Sequence, residues 1–436
     1  MSSKGTFTTA KDGEPAPSPN LRFPEFQDAN GWHVTKLNSL LFEAKHRNRS
    51  LELGPADVLS VSGEYGCVNQ IEFMGRSYAG VTVKDYHVVE HGDIVYTKSP
   101  LKKNPYGIIK KNKGKRGIVS TLYAVYRPTP DCCPAYLDHF FSVDFHLNSY
   151  LQPIVRKGAK NDMKVNNADV LKGDICVPDL PEQQKIAECL DSADALIEAQ
   201  GRKVEALGAH KKGLMQQLFT QEAETQPRLR FPEFRDAEGW EVKRVDERGS
   251  VLAGKALAVN ALGPQRPYLR TKNVLDGAID LSDVLTMPMT DAEFDRFEIL
   301  DGDILLNEGQ SLELVGRAAM YRDEFDGRCA MQNQLLRFRA YPSTCREFAA
   351  QAFRKCQKDG TFANVATKTT SVAHLGSSRF NSLELAWPAL LAEQQRVADC
   401  LNSLDGLIAT EAQKLDALKT HKKGLMQRLF PRVGEA

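Results

Sequence analysis

The chain has 436 residues, of which 42% are hydrophobic and 26% charged, and its formal net charge is +1. That length allows two or three domains with their own cores, and the near-zero charge excludes a globally basic nucleic-acid binder, leaving only a local patch. No apolar run reaches membrane-spanning length, and the nine cysteines show no CxxC pair or metal-ligand spacing, which predicts reduced thiols in a cytoplasm.

Residues 1–20, without an apolar signal core, read as a flexible tail. Next comes LRFPEFQDANGW (Leu21–Trp32), which recurs as LRFPEFRDAEGW (Leu229–Trp240) with ten of twelve positions identical. Pro24 and Pro232 argue against continuous helix, while Phe23, Phe26, Trp32 and their copies offer apolar anchors. Each copy reads as a segment clamped onto neighbouring structure.

The first unique region, Val34–Pro181, has short β-like segments at Val58–Val61, Tyr78–Val83, His87–Glu90, Asp93–Tyr96 and Gly117–Val125, as in an α+β domain with a compact sheet. Between Lys98 and Arg116 lies KSPLKKNPYGIIKKNKGKR, with eight positive residues and no acidic one. Such a run is usually a solvated face. Its setting in a loop-rich stretch makes Lys98, Lys102, Lys103, Lys110, Lys111, Lys113 and Arg116 candidates for phosphate contact.

Glu182–Phe219 and Glu393–Phe430 are near copies, identical at 22 of 38 positions. In the first, Ile186, Leu190, Ala193, Ile197, Val204, Leu207, Leu214 and Leu218 fall on alternating four- and three-residue steps. The second repeats this with Val397, Leu401, Leu404, Ile408, Leu415, Leu418, Leu425 and Leu429. These are the a and d positions of a heptad. Gln200 and Lys211 interrupt the first seam, and Glu411 and Lys422 interrupt the second at the same steps, a way to fix register. Each helix spans roughly 57 Å, and a narrow stripe of that length needs a partner. The two copies are expected to pair antiparallel, with Gly201 a candidate bend.

After a linker at 221–228 and the second anchor, the region Val242–Leu390 shares little with the first. GDIVYTK (Gly92–Lys98) and GDILLNE (Gly302–Glu308) are a faint echo: a turn, a strand, then polar side chains at its end. The stretches AMQNQLLRFR (Ala330–Arg339) and ATKTTSVAHLG (Ala366–Gly376) are rich in groups that bond base edges and phosphates. Candidates here are Arg270, Lys272, Asn307, Gln310, Gln332, Asn333, Gln334, Lys368, Thr369 and Thr370.

Apparent catalytic motifs fail on inspection. GSVLAGKA (Gly249–Ala256) has GxxxxGK spacing but ends in Ala256 where magnesium needs Ser or Thr. NPYG (Asn104–Gly107) lacks the second proline of an amino-methyltransferase pocket, and PDLPEQQK (Pro178–Lys185) lacks nuclease spacing. His210 and His421 share one helical context, which favours a structural or docking role. No catalytic residue and no metal site is predicted.

The LRFPEF…GW segments, the GDI turns, KTTSVAHLG before the second helix and EQQ…HKKGLMQ(Q/R)LF within each helix resemble the specificity subunit of type I restriction–modification enzymes, from Leu21 to Pro431. The resemblance implies an α+β chain with two target recognition domains (21–181 and 229–390), each followed by a long helix (182–220 and 391–431), before a tail at 432–436. It implies helices that pair as an antiparallel coiled coil with pseudo-twofold symmetry and act as a spacer. Function would be to read a split double-stranded DNA sequence and dock two modification subunits. Those subunits would carry S-adenosylmethionine and methylate adenine; restriction subunits that join them bring the need for ATP and magnesium. This chain would bind no cofactor. One departure is that LPEQQ leads the first helix but LLAEQQ the second, which leaves the start of the second helix open. The alternatives are a stand-alone two-domain DNA-binding regulator, or an enzyme in its own right.

Overall fold

The computed structural model describes residues 18–80, 82–99, 101, 103–157, 163–221, 224–256, 260–368 and 372–431. Most of the expected N-terminal tail, the tail at 432–436, Lys102, Thr369 and Thr370 lie outside the described residues. The chain forms two compact units, one of Met1–Gly201 with Gln413–Ala436 and one of Arg202–Ala412. Each unit therefore holds one of the two unlike regions and one half of each long helix.

In the first unit an antiparallel sheet runs in the order Leu41–Glu43, Tyr123–Pro128, Ile94–Thr97, Ile108–Lys111. Alternation sorts its side chains: Ile94, Tyr96, Ala124 and Tyr126 join the core made by Tyr136, Phe140 and Leu151. Val95 and Val125 join Val89 and Val119 on the other side. The helix Pro134–Phe141 packs on Ile108–Lys111, its proline at the start, where a missing N–H costs nothing. Two expectations change here. Gly117–Val125 is not one strand but Gly117–Val119 and Tyr123–Pro128, and the described residues of Tyr78–Val83 form no strand. Ile108–Lys111, within the basic run, is a strand that charge counting hides.

The second unit repeats the plan with Gly249–Ala253, Leu335–Ala340, Ile304–Asn307 and Ala318–Met320. The helix Arg346–Lys358 puts Phe348 and Phe353 into a core with Phe338, Phe362, Phe380 and Trp387. Added to this are a strand set Leu285–Pro288, Gln265–Leu269, Ala330–Met331 and a small sheet of Gly309–Gln310, Ala373–His374 and Thr367–Lys368.

The GDI turns are clasps. Gly92 and Gly302 take φ of 88° and 86°, a region glycine enters without penalty. The buried Asp93 then accepts the Glu90 N–H at 2.9 Å and pairs with Arg127 at 3.1 Å. Asp303 likewise accepts the Leu300 N–H at 2.7 Å and pairs with Arg339 at 2.7 Å.

The long helices run Leu180–Leu218 and Leu391–Leu429, and both continue through their internal glycines. In the first unit Ile186, Ala187 and Leu190 share a core with Leu429 and Phe430. In the second, Met215, Leu218 and Phe219 share one with Val397, Ala398 and Leu401, with Leu214 at its edge. The start of each helix thus meets the end of the other, so the pairing is antiparallel. Leu425 packs at the edge of the first core, and Ile197, Val204, Leu207, Ile408, Leu415 and Leu418 are half-buried. Three of the four polar interruptions make ion pairs: Lys211 Nζ lies 2.6 Å from Asp405, Lys422 Nζ 2.5 Å from Asp194, and Lys203 3.0 Å from the buried Glu411.

The repeated anchors and EQQ triplets form one lock, made twice. Arg22 gives two bonds to Glu182, at 2.9 and 2.7 Å, and caps the Ala29 and Asn30 carbonyls; Trp32 Nε1 donates to the same carboxylate at 3.3 Å. Arg230 and Trp240 do the same with Glu393, at 2.8, 2.7 and 3.1 Å. Both carboxylates are at most 3% exposed, so the bidentate arginine is what makes their burial tolerable. Gln183 accepts the Cys133 N–H and donates to the Pro178 carbonyl; Gln394 does so with Cys345 and Pro388. The Leu21 N–H bonds the Arg428 carbonyl in the first unit, and the Leu229 N–H bonds that of Gln217 in the second. Both EQQ segments enter their helices alike: Asp179 and Leu390 carbonyls accept the next turn's N–H groups. The proline missing from the second copy is dispensable.

Candidate nucleic-acid interface

Part of the basic run is spent inside the first unit. Lys110 is buried, its Nζ 2.7 Å from Ser142 Oγ, and burial pulls its pKa down with Asp138 only partly offsetting. Lys113 pairs with the buried Asp138 at 2.9 Å, and the Lys111 N–H donates to the same carboxylate at 3.0 Å. Burial works against that carboxylate, but Lys113 and Lys110 outweigh it and hold its pKa below the usual value. Arg116 pairs with Glu90 at 3.0 Å and Glu52 at 3.6 Å. The candidacy of Lys110 for phosphate contact is therefore corrected, since it is a structural residue, and acids from other segments pair with Lys113 and Arg116. Lys103 is exposed. Lys98, just past the strand Ile94–Thr97, is half-buried, its pKa lowered by burial against the pull of Glu43.

In the second unit the candidates separate. Asn307 is fully buried, so it belongs to the sheet interior and not to a DNA surface. Arg270 and Lys272 both reach Asp283, at 2.6 Å each. Hydrogen bonding from Lys272 leads the causes that hold the pKa of Asp283 below the usual carboxylate value.

Gln310, Gln332, Asn333, Gln334 and Lys368 are brought to one place by converging strand ends. The Glu308 N–H donates to the Gln334 carbonyl at 2.8 Å, and the Glu308 carbonyl accepts from the Leu375 N–H at 2.9 Å. Gln332 N–H bonds the Leu269 carbonyl, and Asn333 N–H that of Lys255. The small sheet sets Gly309 opposite His374, and His374 opposite Thr367 beside the exposed Lys368. Gly309 is required here: a Cβ would lie 2.4 Å from Gln334 Oε1 and 3.1 Å from His374 Nδ1. His374 Nδ1 stands 3.2 Å from Glu308 Oε2, with 39% and 16% of the two side chains exposed. Sequence reasoning passed over Glu308 and His374; the signal was the acid ending GDILLNE and the histidine in SVAHLG.

The apparent phosphate loop is a strand, Gly249–Ala253, followed by Lys255 paired with Glu293. Asn104 is held by Asp144 at 2.8 Å, and His210 and His421 are exposed. Among the described residues one group has metal-like composition: His139, Asp191 and Asp194, with ligand atoms within 4.8 Å of one another. The Lys422 ammonium already sits on Asp194, and His139 Nε2 lies 2.8 Å from Asp191. The second unit builds the same junction from Gln351, Asn402, Asp405 and Lys211. An amide pair in place of histidine and aspartate identifies a helix-pairing junction, not a metal centre. No described helix is long and apolar enough to cross a membrane.

The sequence profile of the type I restriction modification DNA specificity domain matches residues 237–420. A crystal structure of the type I restriction–modification S subunit from M. genitalium shares this fold, with a TM-score of 0.56 at 12% identity, covering 95% of this chain and 99% of that one. A structure of a type I restriction–modification system, described for its complex assembly and conformational transition, gives 0.50 at 16% identity, covering 92% and 98%. A comparison with curated protein sequences returns no match. The chain is thus similar to the type I restriction modification DNA specificity domain over residues 237–420, and its fold is that of these type I restriction–modification structures.

Proposed function

We propose that this subunit reads a split double-stranded DNA target, one half with each recognition region. The observation that carries this is one frame made twice around two unlike surfaces. Arg22–Glu182–Trp32 and Arg230–Glu393–Trp240 are the same device, whereas the strand after each GDI turn ends in Lys98 in one unit and Glu308 in the other. A copied scaffold with different polar ends suits two different base sequences. The residues in contact with phosphate would be Lys103 and Lys111 in the first unit and Arg270, Lys272 and Lys368 in the second, while Lys98 would face the base edges. Lys102, Thr369 and Thr370 remain candidates.

The subunit would dock two modification subunits along the long helices, whose length would set the spacing between half-sites. Restriction subunits would complete the assembly. S-adenosylmethionine, ATP and magnesium would reside on those partners, and this chain would itself be non-catalytic and cytoplasmic. Sequencing the methylome of cells that carry this subunit and its modification partner tests the reading: a bipartite motif with methylated adenine supports it. A stand-alone regulator would instead bind one site tightly without any partner.

A further inference from the structure

The end of the strand that follows each GDI turn is the same place in the two units, and it carries opposite hydrogen-bond chemistry. Lys98 follows Ile94–Thr97 and is a pure donor; Glu308 follows Ile304–Asn307 and is a pure acceptor. Glu308 is held rigidly, since its backbone N–H and C=O are tied to Gln334 and Leu375. Its carboxylate faces His374 Nδ1 at 3.2 Å. A carboxylate can only accept, so Nδ1 carries the proton, and in the neutral ring Nε2 is left as an acceptor. With 39% of its side chain exposed, His374 stands at the rim beside the Gln334 amide oxygen.

We propose that Glu308 and His374 are the base-reading pair of the second unit, recognising an exocyclic amino group in the major groove. Adenine N6 and cytosine N4 are the two donors of that kind. Glu308 is the positioning residue, fixing the tautomer and tilt of the imidazole, and His374 Nε2 accepts the base N–H. Lys98, at the matching place in the first unit, contacts an acceptor edge, guanine O6 and N7 or thymine O4. This inference rests on the proposed reading of a split target.

The test uses the complex assembled with its modification subunits and a library of targets randomised one position at a time. Wild type is expected to prefer one base at a given position of the second half-site by roughly five- to a hundredfold, the range of one good base contact. His374→Ala should flatten preference at that position alone. Glu308→Gln is nearly isosteric, but its amide can accept the imidazole N–H or turn and donate to Nδ1, so the tautomer is no longer fixed and the same position should relax. Glu308→Lys can only donate to Nδ1, which leaves the proton on Nε2 and makes His374 a donor, so preference there should shift towards guanine or thymine. Should His374→Ala fail to fold, the two Glu308 variants decide the matter. Variants that discriminate as wild type does, or that relax the first half-site instead, overturn this assignment. A wild-type complex that discriminates at no position would instead sink the specificity reading beneath it.

Discussion

Lys211 and Asp405 face each other across the two long helices, the ammonium 2.6 Å from both carboxylate oxygens, and Lys422 meets Asp194 at the equivalent step of the repeat. Burial first, and then the charge of Arg354, pull the Lys211 pKa down. Burial likewise opposes the Asp405 carboxylate, but Arg354 and bonds from Lys211 and Gln351 outweigh it and hold its pKa low. Arg354 Nη1 lies 2.6 Å from the same Asp405 oxygen that Lys211 holds. The pair therefore fixes helix register within a network. Asp405→Ala takes the carboxylate from the buried Lys211, while Arg354 keeps Asp276, and should cost about 3–5 kcal/mol. Lys211→Met leaves Asp405 on Arg354 and should cost clearly less. Thermal unfolding of the variants measures the order; equal losses would contradict it.

The anchor locks should be the most sensitive points of each unit. Glu182→Ala leaves Arg22 and the Trp32 indole N–H without their acceptor, and a loss of about 3–5 kcal/mol is expected. Glu182→Gln keeps an acceptor for Trp32 and should lose less. Hydrogen exchange should rise in Leu21–Lys36 and Asp174–Val177, where the paired strands meet the lock. Glu393→Ala should repeat the pattern in the second unit, at Leu229–Arg244.

The first unit should weaken in mild acid. Burial pushes the pKa of His146, stacked 4.6 Å from Phe140, from 6.5 down to about 4; burial and then Arg47 do the same to His87. Both folded values lie below the unfolded one, so the unfolded chain binds more protons between pH 4 and 6.5, and stability falls as pH drops through that window. His146 alone accounts for about 3 kcal/mol over the whole window. His146→Phe should flatten the decline in melting temperature between pH 7 and 5, leaving the part due to His87. An unchanged slope would remove His146 from the account.

The basic run should divide by function. Lys103→Ala is expected to reduce the salt slope of log affinity by about 0.9, the loss of one phosphate contact. Lys113→Ala should leave that slope unchanged and lower stability by about 1 kcal/mol, because Asp138 loses a partner. Titrations at several salt concentrations with the assembled complex separate the two.

Much of the frame was legible because it is periodic or repeated. The heptad stripe marked both helices, the globular segment between the copies pointed to their antiparallel sense, and the polar breaks at Lys211 and Lys422 marked the register pairs. The chemistry of the locks was not legible, since Arg22 and Glu182 lie 160 residues apart and only folding brings them together. The basic run misled for the same reason: a count along Lys98–Arg116 sees no acid, while Asp138, Glu90 and Glu52 arrive from elsewhere. Asn307 looked available because polar residues end strands, yet this one turns into the sheet. Glu308 and His374 lie in stretches the sequence singles out, GDILLNE and SVAHLG, but their partnership was missed because a two-residue strand pairing 66 residues apart joins them.

The central claim is that each recognition region reads its own half of a split target. Replacing Val34–Pro181 with the corresponding segment of a related subunit, with Leu229 onward intact, tests it most directly. The methylome of cells carrying the chimera and the modification partner is expected to show one half of the motif changed and the other preserved. A motif in which both halves change, or neither does, would contradict it.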